Sequence, residues 1–455
     1  MKTEVCTKPE LDLWTKPPLD ASNEDGWWAY YKSSDLAMSQ GEITIDIKPQ
    51  PYYIDLSSIS LYVKARIYDP TKSKTTDLAE EALVSPVNNF LHSLFKQVSV
   101  KIDDQELDNS NSMYHYKAYF YNLLNHGHEA KNSHMTSQLF YKDDADQFDN
   151  FNIDSVNVVL EGTDTANKKF AYIKPDSSTS NSGFIKRRNI MLKGKGMLEL
   201  CGPLYCDFFN THKLLIDNTA MSIKLWKNDD AFLLNGKGEY KIYLEDVKLR
   251  VRHQKINPIV RDTIERTLQK SPAIYPYRLS EVKSYKITTS GLKVSNQTIS
   301  SGFLPKVVII ALAEQIRTTG KTDKNPFLFS NFNVTEVDLR VDSQSRPYSH
   351  PIELNYAKNL YLDGYNSLYD IINNPEIGNN ISRDDFAKGY SIYAFNLQPT
   401  ISCNGDFVSM TKNSNVTLTL KFAAGSNENI DLDLIVYTEH DKIAEIDIAR
   451  KVKIF

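Results

Sequence analysis

Residues 389–400, Gly-Tyr-Ser-Ile-Tyr-Ala-Phe-Asn-Leu-Gln-Pro-Thr, begin like the nucleophile elbow of a serine hydrolase. That turn needs Gly-x-Ser-x-Gly, because a serine held on a strained strand-to-helix corner leaves room only for glycine on either side. Here Gly389 and Ser391 are followed by Tyr393, and beyond the serine comes a strand pattern, with Ile392 and Ala394 on one side and Tyr393, Phe395 and Leu397 on the other. The reading is a strand that ends at Pro399, where the ladder loses an N–H.

Four further groups could carry chemistry. His126, His128, Glu129 and His134 hold the residue types of a metal site. A cupin sets its His-x-His on a strand, so that both rings point inward. This pair follows a helical segment, spans Gly127 and has its glutamate adjacent, and the reading is a solvated polar loop. Cys201 and Cys206, with His212 after them, lack the two-residue gap and second pair of a structural zinc site, and read as small buried hydrophobes flanking a turn. Gly194, Gly196, Gly236 and Gly238 lie near lysines, but no Gly-Lys-Ser/Thr follows to cradle a phosphate. The acidic run 143–149 lacks calcium-loop spacing and reads as solvated. The expectation is no catalytic residue, no metal and no cofactor.

Composition narrows the class. The chain has 455 residues, 41% hydrophobic and 24% charged, with 26 Tyr and 20 Phe that lean toward β-structure. At roughly 100–200 residues per domain it is too long for one core. A net charge of −4 argues against coating nucleic acid, and the basic clusters Lys186–Arg188 and Arg250–Lys255 read as solvated loop and strand-face charges. The first residues lack the apolar run of a signal peptide, and the longest apolar run, Val307–Ala313, is far short of the roughly 20 residues that span a bilayer. Four cysteines (Cys6, Cys201, Cys206, Cys403) fit a reducing compartment, where the sequons at Asn296, Asn333, Asn380 and Asn415 go unused.

The elements that must position these residues alternate with period two. Residues 42–48, 59–68 and 98–103 read as half-buried strands, and residues 112–124 change to a helical stripe of Tyr114, Ala118, Tyr121 and Leu124. Residues 1–40, with Pro9, Pro17, Pro18 and the cluster Trp27, Trp28, Tyr30, Tyr31, read as an extended arm, with Trp27 and Trp28 as anchors on a neighbouring subunit. Residues of about 126–190, rich in Asp, Asn and Ser, read as a long surface insertion.

A repeat organises the rest. Val-Ser-Val-Lys-Ile-Asp-Asp-Gln (98–105) and Val-Asp-Leu-Arg-Val-Asp-Ser-Gln (337–344) share a pattern at an offset of 239, each followed by an aromatic-rich helical segment. Upstream, 43–47 is matched with 285–289, and 61–67 with 307–313. Downstream, 197–200 matches 394–397 and 222–226 matches 419–423, both at an offset of 197, as a longer insertion in the first copy requires. Between the copies Asn257 caps a short linker helix that starts at Pro258 and stops before Pro272. The domains are therefore 41–255, a linker helix within 256–275, and 276–455 with its tail. Domains of this size must close or double their sheets to protect edges, and the expected fold is all-β: two eight-stranded antiparallel jelly rolls, each with a short inserted helix.

Residues 90–107 and 114–124, then 200–225, then 389–400 with 415–423 and 434–447, together resemble the major capsid proteins of the Polinton (Maverick) and adintovirus group. The resemblance touches both halves and about a third of the chain, and its motifs are structural, so it carries over no active-site residue. It implies a double jelly-roll subunit. Three such chains make a pseudo-hexagonal capsomer that tiles an icosahedral shell around double-stranded DNA, with a separate single jelly-roll protein at the vertices. The partners implied are other copies of the chain and that vertex protein, with DNA enclosed but not read and no membrane span. The implied place is the virion capsid, after synthesis in the host cytoplasm. The alternative from another class is a two-domain jelly-roll enzyme or carbohydrate-binding protein, such as a bicupin or a glycan amidase.

Overall fold

A computed structural model of the chain describes residues 13, 20–33, 42–80, 82–151, 158–161, 170–173, 180–288, 294–372, 378–399, 412–423 and 430–455. Cys6, Cys403, the prolines of the first 18 residues, Thr400 and parts of the 126–190 stretch lie outside them.

Sixteen principal strands fall into two lobes. The first holds β1 (Asn23–Lys32), β2 (Glu42–Ile47), β3 (Tyr53–Tyr68), β4 (Phe95–Ile102), β5 (Gln105–Asn109), β6 (Met197–Pro203), β7 (Met221–Lys227) and β8 (Lys241–Ile256). The second holds β9 (Ala273–Thr288), β10 (Val294–Phe303), β11 (Val307–Glu314), β12 (Val334–Val341), β13 (Gln344–Ser345), β14 (Ile392–Asn396), β15 (Asn413–Phe422) and β16 (Asp431–Ile446). Sheet orders are β1-β8-β3-β6 and β2-β7-β4-β5 in the first lobe, β9-β16-β11-β14 and β10-β15-β12-β13 in the second, with short additional strands at the margins. The pairings within these four sheets are antiparallel. Every strand of the first lobe has its counterpart eight places on, in the same position of the corresponding sheet of the second lobe. This is the double jelly roll expected from the sequence.

Alternation explains the layers. Along β3 one parity, from Ile59 through Leu61, Val63 and Ala65 to Ile67, is buried and the other is half-exposed, so one face packs on the core of the sandwich and one does not. The shared Asp-x-Gln of the two copies is a hairpin turn. Asp103 and Asp342 take φ of 52° and 49°, a region that Asp tolerates because its side chain can bond locally. The matches 98–105 with 337–344, 61–67 with 307–313, 197–200 with 394–397 and 222–226 with 419–423 fall on β4/β12, β3/β11, β6/β14 and β7/β15. The match of 43–47 with 285–289 does not hold, because 43–47 is β2 while 285–288 ends β9; the counterpart of β2 is β10.

The sequence-based arm contains a strand. β1 pairs along its length with β8, with Trp28 opposite Arg252 and Tyr30 opposite Arg250, and so completes the first sheet. Between the lobes, helix α3 (Pro258–Leu268) is capped by Asn257, whose side chain accepts from the Ile259 N–H at 3.0 Å.

The insertion between β5 and β6 differs most from its sequence reading. Helix α1 (Tyr114–Asn125) is buried almost all round, and helix α2 (Ser182–Lys193) carries Arg187 and Arg188 inward, at 0% and 3% exposure. Phe140, Asp143 and Phe148 are buried as well. These parts of the segment are therefore interior structure, while 128–129, 132–134 and Lys186 are exposed, so Arg187, Arg188 and Asp143 are not the solvated charges that the sequence suggests. The charges are tolerated because Arg187, Arg188 and Asp149 find partners far along the chain.

Candidate functional site

The chemistry-bearing residues do not converge. Ser391 is fully buried, and its hydroxyl donates to the Phe386 carbonyl at 2.7 Å while its N–H donates to the Phe329 carbonyl at 2.9 Å. Gly389 has φ +118°, and a Cβ there would stand 2.4 Å from Cε2 of Phe148, so this glycine serves packing against the first-lobe insertion. The rings of His126 and His134 lie 6.2 Å apart, with His126 half-buried and its pKa lowered to about 4 by desolvation, then by Lys131 and His134. His128 faces its own helix, accepting from Asn132 at 2.9 Å. Cys206 is buried and Cys201 half-buried on β6. Among the described residues no three His, Cys, Asp or Glu side chains gather as a metal site. No helix there is long and apolar enough to cross a membrane. A cleft of about 760 Å³ beside α3 has Arg261, Glu265 and Arg450 on its walls, but their charges are spent on each other and on Asp217.

What the fold brings together is the seam between the lobes. Its apolar part comes from α1. Tyr119 stacks on Phe327 with centroids 4.1 Å apart, and Phe120 meets Phe329 at 5.4 Å and Tyr437 at 6.4 Å. The Tyr116 hydroxyl donates to the Pro326 carbonyl at 3.2 Å.

Its charged part has three nodes. In the first, the Lys117 ammonium on α1 donates to Asp207 at 2.7 Å and to Asp108 at 3.0 Å, all three buried. Ser280 on β9 reaches across and gives Asp207 its N–H at 2.6 Å and its hydroxyl at 2.7 Å. Burial pushes the Asp207 carboxyl up to about 7, opposed by Lys117 and reinforced by the Asp108 charge. Burial alone would lower the Lys117 pKa, but its two carboxylate neighbours carry it above the ordinary lysine value.

In the second node, the fully buried Arg187 pairs with the fully buried Asp143 at 2.7 Å and gives further N–H groups to the Pro86 and Tyr141 carbonyls. The second lobe contributes Asn325, donating to Asp143 at 3.1 Å, and the Tyr390 hydroxyl, donating to its carbonyl at 2.6 Å. In the third, Arg317 of the second lobe grips Asp149 of the first through two bonds of 2.7 Å, the geometry that suits guanidinium to carboxylate. Each node joins residues distant in sequence. The only local signal is a charged residue in apolar surroundings, such as Lys117 among the tyrosines of α1 and Asp207 between Cys206 and Phe208.

The residues expected to anchor neighbours lie on the first sheet. Trp27 packs edge-on against Tyr52 at 4.6 Å and beside His253 at 5.9 Å, so its ring is engaged within the chain. Trp28 points to the other side of β1, 38% exposed, with the Arg250 guanidinium 3.8 Å over its ring. The C-terminal tail folds back on its own chain: residues 452–454 pair with the end of β16, and Arg450 bonds Asp217 and Glu265.

No protein-family model matches the chain. A curated relative, the uncharacterized protein F54H12.2 of Caenorhabditis elegans, is 25% identical over 385 residues, 82% of each chain. A chain of the Sputnik virophage structure matches with a TM-score of 0.61 at 12% identity, covering 100% of this chain and 93% of that one. The mavirus major capsid protein matches with a TM-score of 0.50 at 11% identity, covering 100% and 96%. PBCV-1 VP54, as fitted into a reconstruction of the virophage Sputnik, gives 0.54 at 9% identity, over 97% and 98%. These likenesses run the length of both lobes.

Proposed function

We propose that this chain is a structural major capsid protein and not an enzyme. The observation that carries the reading is a whole-length likeness to double jelly-roll chains, the mavirus major capsid protein among them, in a molecule whose polar clusters hold its lobes together. On this reading the chain is kin to the capsid proteins of the Polinton (Maverick) and adintovirus group. Three chains form a pseudo-hexagonal capsomer: two like lobes per subunit present six roughly equivalent edges under threefold symmetry. Capsomers tile an icosahedral shell around double-stranded DNA, without sequence-specific contact, and a single jelly-roll protein closes the vertices. Trp28 is the better-placed of the two tryptophans to meet a neighbour, since Trp27 is taken up by Tyr52 and His253. The test is size-exclusion chromatography with light scattering on the purified chain, followed by negative-stain microscopy. The expected result is a mass of three chains, with hexagonal plates or shells. A monomer that holds metal or glycan would overturn the reading in favour of a two-domain jelly-roll enzyme or lectin.

A further inference from the structure

The two lobes share one plan but are covered differently. In the second lobe the sheet containing β9, β16 and β11 is buried on both faces through its centre: Val307–Ala313 and Leu432–Thr438 have no exposed residue. One face packs inside its own sandwich, and the other is covered by the first-lobe insertion, where Phe120 meets Tyr437, and by the turn after β6, where Asp207 accepts from Ser280. The corresponding sheet of the first lobe is open. Its outer face carries Trp28, Tyr30, Tyr62, Lys248, Arg250 and Arg252, with Tyr30 at 61% and Trp28 at 38% exposure. Trp, Tyr and Arg are the residues that dominate binding hot spots. Arg250 adds a specific cue: its Nε is buried without a hydrogen-bond partner among the described residues.

The second lobe has its own insertion at the same place, between β13 and β14, where helix α4 (Leu362–Ser367) stands at the position α1 holds in the first lobe. Leu360 and Leu362 are 61% and 49% exposed there, with the exposed Asp363 beside them. The seam inside the chain is thus a head-to-tail contact, insertion of one lobe on sheet of the next; the second-lobe insertion joins it through Asn379, Asn380 and Asp385, which meet Lys131 and Lys142, but Leu360 and Leu362 stay exposed, as does the outer face of the first sheet. A heterologous contact of this kind either closes a ring or runs on as a filament.

We propose that Leu360 and Leu362 of one chain seat on the Trp28–Tyr30–Arg250 face of a second copy, repeating between chains the seam that α1 makes within one. The proposal rests on the capsomer reading, which makes three chains the closing number. Asp363 then faces the cluster of Lys248, Arg250 and Arg252.

The test uses two variants of the full chain. The acceptor variant carries Trp28→Glu and Tyr30→Glu; the donor variant carries Leu360→Asp and Leu362→Asp. Light scattering should find each alone as a monomer at a concentration where the native chain is three chains in mass. An equimolar mixture should stop at two chains, since one intact donor meets one intact acceptor and the ring cannot close. Single variants Tyr30→Glu and Leu360→Asp, at the most exposed positions, serve if a double variant melts well below the native chain. Trimers from either variant, or a mixture that stays monomeric, would overturn this interface while leaving the capsomer reading intact. A native chain that is monomeric throughout would overturn both.

Discussion

Replacing Lys117 by methionine keeps the length of the side chain and removes the ammonium from between Asp207 and Asp108, at 2.7 and 3.0 Å. Both carboxylates are buried, and Asp207 already holds its proton above the ordinary carboxylate range with Lys117 opposing it, so near neutral pH the variant leaves Asp207 protonated and the buried Asp108 without its cation, a defect that costs about 3–5 kcal/mol. For lobes of this size each kcal/mol moves the melting temperature by about 2–4 °C, so differential scanning calorimetry near neutral pH should find it lowered by about 6–20 °C. Adding Asp207→Asn to the variant replaces a carboxyl that has lost its cation by a neutral amide whose oxygen can still accept from Ser280, and about 1–3 kcal/mol should return. A loss under about 3 °C, or a double variant no more stable than the single one, would refute the claim that these charges are held dry by one another.

Other predictions concern the same seam. The folded pKa of Asp207, about 7, lies above its ordinary value of 3.8, so the folded state binds this proton more tightly. Its contribution is full below the ordinary value and is lost as pH rises toward 7, so melting temperatures taken from about pH 5 to about pH 8 should fall more steeply for the native chain than for Asp207→Asn. Equal slopes would contradict this. Arg187→Met strands the buried Asp143 and should cost about 3–5 kcal/mol, read by calorimetry, with earlier proteolytic cleavage in the β5–β6 insertion. Gly389→Ala forces φ +118° on a residue with a Cβ and drives it into Phe148, costing at least about 1–3 kcal/mol by chemical denaturation. Ser391→Ala removes only a hydroxyl bonded to the Phe386 carbonyl, so it should cost about 1 kcal/mol and leave any assembly unchanged.

Much of the fold was legible because half-buried strands write their period into the sequence. The Asp-x-Gln turn after β4 and after β12 then supplied a register mark that alternation alone lacks. β1 was missed for a definable reason. Both of its faces carry aromatics, Trp27 and Tyr31 inward against Tyr52 and His253, Trp28 and Tyr30 outward, so no polar parity reveals the strand. A first strand hidden in this way shifts the match of residues 43–47 from β10 to the end of β9. The seam charges were illegible for a different reason: burial of Arg187 is decided by Asp143, Tyr141 and Pro86, and nothing near Arg187 in the chain distinguishes it from a surface cation. The negative reading of Ser391 needed only the bulk of Tyr393.

The seam also sets a timetable for synthesis. Tyr119 and Phe120 leave the ribosome well before the residues that cover them, Phe327 and Phe329 about 200 positions on and Tyr437 more than 300. At about 5–20 residues per second the aromatic side of α1 waits tens of seconds for its cover. During that interval the nascent first lobe displays the surface that its own second lobe is meant to bury, and a neighbouring nascent chain offers the same invitation. Crowded polysomes would therefore favour swapped pairings, with the second lobe of one chain closing the first lobe of another.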